Sequence, residues 1–243
     1  ILKKRIMVLD GAMGTMIQAH KPDETVYRGA IFKNFHRNLK GNNEILSITA
    51  PDLIKSIHLD FLKAGADIIE TNTFSANSIS QSDYQTQEHV RRLNIESARL
   101  AKEAISEFQS INPEARCWIA GAIGPTNKTL SLSPDVNKPA YREVSFDTLK
   151  EVYREQVDAL MEGGVDLILI ETIFDTLNAK AALHALMDYN NEHKVEVPVM
   201  ISGTITDNSG RTLSGQTTEA FLISLSHYPN IFSVGLNCAL GAE

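Results

Sequence analysis

The sequence predicts an α/β fold, a (β/α)8 TIM barrel of parallel strands that is truncated here after about six strands. Six short apolar segments recur along the chain at intervals of roughly 30 to 60 residues. Such intervals leave room for a helix and its loops between parallel strands. The stretches between them carry apolar residues at three- and four-residue steps, the spacing of helices that bury one face. An open, doubly wound sheet is the alternative architecture.

The predicted strands are rich in β-branched and aliphatic residues, as in strands that are covered on both faces. They comprise residues 6–9, 67–71, 117–122, 165–172, 197–205 and a last strand that begins at Ile231. The predicted helices comprise residues 51–62, 88–108, 146–161, 176–189 and 218–226. We expect Thr49, Ser145, Asp175 and Thr217 to cap four of these helices, because their side chains can accept hydrogen bonds from free backbone N–H groups.

A partial internal repeat supports a recurring βα unit. Residues 64–71 read AGADIIET, and residues 163–172 read GGVDLILIET. In each copy glycine ends a helix, aspartate opens a strand, and Glu-Thr closes that strand. Three polar segments that each follow a predicted strand are longer than a simple connection needs: 15–48, 124–145 and 206–216. We expect them to be binding loops on one face of the barrel.

Composition excludes several classes of protein. The chain has 243 residues and a net charge of -7, which argues against nucleic acid or an anionic membrane as a partner. No apolar run reaches the roughly 18 residues of a membrane span. Cys117 and Cys238 are the only cysteines, which favours a reducing, cytoplasmic setting. We expect residues 1–243 to form one domain of a longer polypeptide, with the last two βα units absent.

The C-terminal ends of the predicted strands carry the residues that could perform chemistry. They include Asp10, Glu70, Glu171 and Cys238, and in a parallel barrel these ends converge on one site. The carboxylates could instead form salt bridges at the rim, an alternative that stays open for Glu70 in particular. A lone cysteine is also often a small buried apolar residue. The glycines in DGAMGT, residues 10–15, suit either an anion seat or a tight turn.

Other reactive residues do not point to a site. Cys117 opens its predicted strand and so lies at the opposite, stability-related end of the barrel. The seven histidines lack metal-binding spacing, and we expect all of them to be solvated or on helix faces. No lysine ends a strand where an aldolase-like barrel would need one. The residues by themselves therefore predict a barrel enzyme with an acidic, thiol-bearing site and leave its substrate open.

Seven motifs together resemble one family. They are VLDGAMGTMIQ, LKGNNEILSIT, AGADIIETNTFS, GPTNKTLS, LIETIFDTLNAKAAL, SGTITDNSGRTLSGQT and GLNCALGA. In this order they are similar to the homocysteine-binding (N-terminal) module of the cobalamin-dependent methionine synthases, within the zinc-dependent homocysteine S-methyltransferase family. The wider family includes the betaine and S-methylmethionine enzymes. The motifs GNNEILSIT and GRTLSGQT favour the cobalamin-dependent branch.

The resemblance implies a role for each candidate residue. Cys238 matches the first of three zinc-binding cysteines and would be both metal ligand and catalytic residue, while the adjacent cysteine pair would lie beyond Glu243. Asp10 and Glu171 match residues that hold the amino group of homocysteine. The backbone at Ala12 and Met13 matches the seat of its carboxylate. Two more residues complete the expected substrate site: Asn237 and Glu70.

The resemblance also implies a reaction. A zinc-activated homocysteine thiolate would accept a methyl group from methylcobalamin, originating from methyltetrahydrofolate, to give methionine. The folate, cobalamin and activation modules of the same polypeptide would be the partners, and this chain by itself has no corrin or pterin site. Two alternatives remain: a betaine- or S-methylmethionine-type methyltransferase, and a metal-free barrel fragment that catalyses nothing.

Overall fold

Five parallel strands form a single sheet in the computed structural model, which describes residues 2–206 and 208–238. Neighbouring strands in the sheet are also consecutive along the chain, as recurring βα units produce. The strands are β1 (Ile68–Glu70), β2 (Trp118–Ile123), β3 (Leu167–Ile173), β4 (Val199–Gly203) and β5 (Ile231–Leu236). The predicted α/β fold with a parallel sheet is therefore confirmed.

The first predicted strand, residues 6–9, is reduced to a single parallel bridge between Leu9 and Ile68. Two backbone bonds flank this bridge: the N–H of Ile68 donates to the carbonyl of Val8 at 3.1 Å, and the N–H of Asp10 donates to the carbonyl of Ile68 at 3.0 Å. The segment pairs only with β1, and the side chain of Ile6 is 86% exposed. The prediction of a strand over residues 6–9 is therefore wrong, although these residues lie beside β1 where the first strand was expected.

The long helices pack against the sheet and against one another. They are α4 (Pro51–Ala64), α6 (Val90–Ile111), α7 (Phe146–Gly163), α8 (Thr176–His193) and α9 (Thr218–Leu225). The side chains of Ser145, Asp175 and Thr217 accept N-terminal N–H groups of α7, α8 and α9, as predicted.

The predicted cap of α4 is wrong. Ala50 occupies the N-cap position and provides no side-chain hydrogen bond. The hydroxyl of Thr49 instead donates to the carbonyl of Ile45 at 3.2 Å. Thr49 is the last residue of a preceding short helix, α3 (Leu46–Thr49). Its hydroxyl bonds the backbone of that preceding turn and does not cap α4.

About half of the segment 15–48 is helical, so the prediction of one long loop is wrong for this segment. It contains most of α1 (Met13–His20), α2 (Glu24–Arg28), a 3-10 turn (Asn43–Ile45) and the start of α3. A further short helix, α5 (Ser78–Ser82), follows β1. These short elements bury a second apolar cluster against α4 and α6, with Ile17, Tyr27, Phe32, Leu39, Ile45 and Leu46 at its centre. By contrast, residues 124–145 and the described part of 206–216 contain no helix or strand.

The two faces of the sheet bury different residues, as the alternation of side chains along a strand requires. Ile69, Ile119 and Ile168 pack into the main core with the helices. Their neighbours Ile68 and Leu167 join a smaller cluster on the other face. We call this second face, which the long helices do not cover, the inner face of the sheet. It also includes Ala120 and Leu169, with Met7, Leu9, Trp118 and Met200 at its margin.

The internal repeat has a structural explanation at the N-terminal edge of the sheet. Gly65 and Gly164 end α4 and α7 with φ values of 105° and 90°, which glycine adopts most readily. Asp67 accepts a hydrogen bond from the N–H of Val8, and Asp166 accepts one from the N–H of Ile119 at 2.8 Å. The repeated glycine and aspartate therefore stop a helix and fasten the neighbouring strand.

Cys117 lies at this same edge, just before β2, as predicted. Its thiol is partly buried, and burial together with the nearby charge of Asp67 raises its pKa. In the part of the chain that the structure describes, no helix is both long enough and apolar enough to cross a membrane.

Candidate active site

Three carboxylates meet at the C-terminal edge of the sheet. Asp10 follows the bridge beside β1, Glu70 ends β1, and Glu171 lies near the end of β3. Asp10 Oδ2 accepts a hydrogen bond from the backbone N–H of Glu70 at 2.9 Å. A cavity of about 200 Å³ is lined by Glu70, Glu171 and Asn237 together with apolar side chains of the inner face. The convergence that the strand ends predicted is therefore present.

Burial and mutual repulsion change the protonation of these carboxylates. Burial, reinforced by the charge of Glu171, raises the pKa of Asp10 to about 7. Burial likewise raises the pKa of Glu171 to about 7. The pKa of Glu70 is raised by burial first, and then by the charges of Glu171 and Asp10. At neutral pH the cluster as a whole therefore retains protons that isolated carboxyl groups would have lost.

None of these carboxylates has a basic partner in the described residues, so the rim salt bridges considered for Glu70 and Glu171 are not formed there. Asp10 Oδ1 is also buried without a hydrogen-bond partner in the same part of the chain. A cation in the cavity, which Glu70 and Glu171 line, would favour the charged forms of these carboxyl groups. The arrangement can thus hold an ammonium group.

Asn237 connects the acidic cluster to the thiol of Cys238. Its Nδ2 donates to Thr172 Oγ1 at 2.8 Å and to Cys238 Sγ at 3.2 Å. Its Oδ1 accepts a bond from Ser202 Oγ at 2.7 Å. Thr172 Oγ1 in turn donates to Glu171 Oε2 at 3.3 Å. A continuous set of hydrogen bonds therefore runs from Glu171 to Cys238.

Two residues of this set adopt the left-handed backbone conformation. Thr172 has a φ of 58° and Cys238 a φ of 59°, values that are unfavourable for a residue other than glycine and most of all for a β-branched one. The register between β3 and β4 also shifts between Ile170 and Ile173. Such local strain is frequent at functional sites, where neighbouring contacts hold it in place.

Cys238 is exposed at the end of β5, and so it is not the buried apolar residue that a lone cysteine often is. The rest of its motif, residues 239–243, lies outside the described residues. Within 2–206 and 208–238, no three His, Cys, Asp or Glu side chains are grouped to hold a metal ion. The described residues thus offer one accessible thiol and do not make a metal site by themselves.

The DGAMGT segment leads directly into α1. Ala12 is the N-cap residue, and Met13 is the first helical residue. Gly11 and Gly14 have no positive φ, so the tight turn that would need glycine conformations is absent. A side chain at Gly11 would approach the ring of Phe61 to 3.2 Å. The N–H groups of the first helical turn have no partner within the helix and can face an anion.

Sequence reasoning missed two residues of this site and one buried residue elsewhere in the fold. Thr172 and Ser202 hold the amide of Asn237, and only their place at strand ends could have suggested it. His58 on α4 is fully buried, and neither ring nitrogen has a partner among the described residues. It was expected to be solvated or on a helix face. Its apolar neighbours at helical spacing were the available signal that it points inward.

Comparisons with known proteins point to one family. The family model described as homocysteine S-methyltransferase matches residues 7–243. The chain is 23% identical to the homocysteine methyltransferase MmuM from Escherichia coli in its metallated form, with a TM-score of 0.76, covering 98% of this chain and 76% of that one. The apo form of MmuM gives a TM-score of 0.70 at the same identity, covering 98% of this chain and 74% of that one.

The likeness to MmuM shows a shared fold, of which the five-stranded parallel sheet is a barrel-like part. The family model covers nearly the whole chain, including the strand ends that carry Asp10, Glu70, Glu171 and Cys238. The chain belongs to the homocysteine S-methyltransferase family.

Proposed function

We propose that the protein is the homocysteine-binding module of a cobalamin-dependent methionine synthase and transfers a methyl group to the sulfur of homocysteine. One observation carries the proposal: an acidic cluster that has no basic partner among the described residues lies beside an exposed thiol, and Asn237 links the two. An amino acid with a thiol side chain needs a seat for its ammonium group and a place for its sulfur. This edge of the sheet provides groups suited to both.

In this proposal the ammonium group of homocysteine binds Glu171 and Asp10, together with Glu70, which lines the cavity beside Glu171. Burial has raised the pKa values of these carboxyl groups, and an ammonium ion lowers them again because it favours the charged form. The substrate carboxylate binds the N–H groups at Ala12 and Met13, where the helix terminus favours negative charge. The two ends of the substrate are thereby fixed, and its sulfur is directed towards Cys238.

Cys238 is the one described residue that we propose as a zinc ligand. The thiol is accessible and accepts a hydrogen bond from Asn237 Nδ2, which suits a thiolate ligand. The remaining ligands would be the adjacent cysteine pair expected after Glu243, because the described residues hold no complete ligand set. A zinc ion bound by thiolates lowers the pKa of a thiol that joins them, so that homocysteine reacts as a thiolate at neutral pH.

The methyl donor distinguishes this proposal from its alternatives. We assign the donor as methylcobalamin, carried with folate on other modules of a longer cytoplasmic polypeptide. A betaine- or S-methylmethionine-type enzyme would use the same seat for homocysteine and a different donor. A metal-free barrel fragment would bind homocysteine without methylating it.

The test supplies homocysteine to the full-length polypeptide with methylcobalamin, betaine or S-methylmethionine, and measures the methionine formed. The proposal predicts methionine with methylcobalamin and none above background with the other two donors. Methionine formed from betaine or S-methylmethionine would assign the protein to that branch. Homocysteine binding with no methionine from any donor would support the non-catalytic alternative.

A further inference from the structure

A second cavity, of about 450 Å³, lies beyond the C-terminal ends of β1, β2 and β3. Its walls come from residues 41–44, 74–84 and 125–127, with Phe174 from the loop after β3. It shares no lining residue with the cavity at Glu70 and Glu171. It is therefore a separate space at the same edge of the sheet, and the proposed reaction does not use it.

A buried carboxylate lines this cavity. Glu44 is only 7% exposed, and its Oε1 accepts a hydrogen bond from the N–H of Ser75 at 2.9 Å. No Lys, Arg or His of the described residues pairs with it. A buried carboxylate without a cation is costly in its charged form, and burial accordingly raises the pKa of Glu44.

The rest of the lining is also negative or neutral. Asp83 is exposed at the margin, where its Oδ2 accepts a bond from Asn127 Nδ2 at 3.0 Å. Among residues 2–206 and 208–238, no lysine, arginine or histidine lines this cavity. Lys128, the next residue after the lining segment, is bonded to Glu143 at 2.9 Å. Burial raises the pKa of Tyr84, which also lines the cavity, and the charges of Glu44 and Asp83 add to that effect.

Aromatic side chains form the rest of the cavity wall, and hydrogen bonds fix the backbone beside two of them. Phe74, Tyr84 and Phe174 all line the cavity. The carbonyl of Phe74 accepts a hydrogen bond from the N–H of Gly124 at 2.9 Å. The carbonyl of Phe174 accepts one from Ser214 Oγ at 2.8 Å. Aromatic faces attract cations and cover apolar stems. Hydrogen bonds of the protein itself therefore hold the backbone around the cavity, which suits a small-molecule site.

From this combination we infer that the cavity binds an organic amine: a protonated primary ammonium group on a short apolar stem, without a carboxylate. The ammonium donates to Glu44, and the stem packs against the rings of Phe74 and Phe174. Glu44 and Asp83 repel a ligand that carries its own carboxylate. The site therefore excludes amino acids such as homocysteine and selects amines from which that group is missing.

Calorimetric titration of the purified protein with n-butylammonium chloride tests the inference. We expect saturable binding, with n-butanol and norleucine binding at least about tenfold more weakly because one lacks the charge and the other adds a carboxylate. Glu44→Gln keeps the shape and the acceptor for Ser75 and should weaken butylammonium binding at least about tenfold. The matched control Glu88→Gln, at an exposed glutamate outside the lining, should leave it unchanged.

A second variant protects the test against misfolding. Phe174→Leu changes a partly exposed ring and leaves the backbone bond to Ser214 in place, and it should weaken butylammonium binding severalfold. Saturating homocysteine should not alter the affinity, which separates this site from the proposed substrate site. Absence of saturable binding, equal affinity in Glu44→Gln, or competition by homocysteine would each overturn the inference.

Discussion

Asn237 Nδ2 donates a hydrogen bond to Thr172 Oγ1 at 2.8 Å, across 65 positions of sequence. The same nitrogen donates to Cys238 Sγ, and the threonine hydroxyl donates onward to Glu171. The rotamer of one amide thus depends on a threonine that is held in a left-handed conformation. The contact ties the end of β3 to the end of β5, the two strands that carry the acid and the thiol.

Removing the hydroxyl of Thr172 should weaken this connection. Thr172→Val keeps the β-branched shape and the backbone strain but removes both hydrogen bonds. We expect the free energy of unfolding to fall by roughly 0.5–1.5 kcal/mol, because the partly buried Asn237 amide loses a hydrogen-bond partner. Urea denaturation measures the change. Thr172→Ser, which keeps the hydroxyl, is the control, and an equal loss in both variants would show that the bond is unimportant.

Neutralising the acidic cluster should reduce homocysteine affinity. Asp10→Asn and Glu171→Gln each remove one charge that we place against the substrate ammonium. A buried, hydrogen-bonded charge pair that is broken on one side costs roughly 2–5 kcal/mol. Calorimetry with homocysteine measures the loss, with Glu88→Gln as the exposed control. Wild-type affinity in both variants would mean that these carboxylates do not hold the substrate.

The same carboxylates should make the protein without substrate less stable as the pH rises. The pKa of Glu171 is about 7 in the folded state, against an ordinary value of 4.5. Between these values the folded state holds more protons than the unfolded state, so the free energy of unfolding falls with increasing pH. Glu171→Gln should therefore gain stability relative to wild type between about pH 5 and about pH 8. A difference that stays constant across this range would contradict the shift.

His58 should have the opposite effect, at acid pH. Burial lowers the pKa of His58 from 6.5 to about 4. Between these pH values the histidine is therefore protonated in the unfolded state and neutral in the folded state. The free energy of unfolding therefore falls as the pH falls through this range. His58→Leu should reduce that loss, whereas the exposed His20→Gln should not. If urea denaturation shows that His58→Leu loses as much stability as wild type between about pH 6.5 and about pH 4, the histidine is not neutral and buried.

Local patterns in the sequence predicted most of the scaffold. β-branched runs located β1 to β5, and Ser145, Asp175 and Thr217 were recognisable as caps because each hydrogen bond spans only two or three residues. The short helices between residues 13 and 49 were missed. Each of these helices is too short to show a periodic pattern. They are stabilised by a shared apolar cluster, which cannot be recognised from any one segment.

The site was predictable in its residues and not in its connections. Parallel strands place their C-terminal ends together, so Asp10, Glu70 and Glu171 could be grouped from the strand order alone. The bonds from Asn237 to Thr172 and from Ser202 to Asn237 depend on the register of three strands. That register includes an irregularity beside Thr172, which no sequence pattern indicated.

The most direct test of the proposed chemistry compares the two cysteines in the full-length polypeptide. Zinc content and methyl transfer to homocysteine are measured for wild type, Cys238→Ala and Cys117→Ala. Cys238→Ala should lose tight zinc binding and methyl transfer, because the thiol at the end of β5 is the one beside Asn237 and the acidic cluster. Cys117→Ala, at the opposite edge of the sheet, should keep both. Stoichiometric zinc and undiminished methionine formation after Cys238→Ala would contradict the central claim.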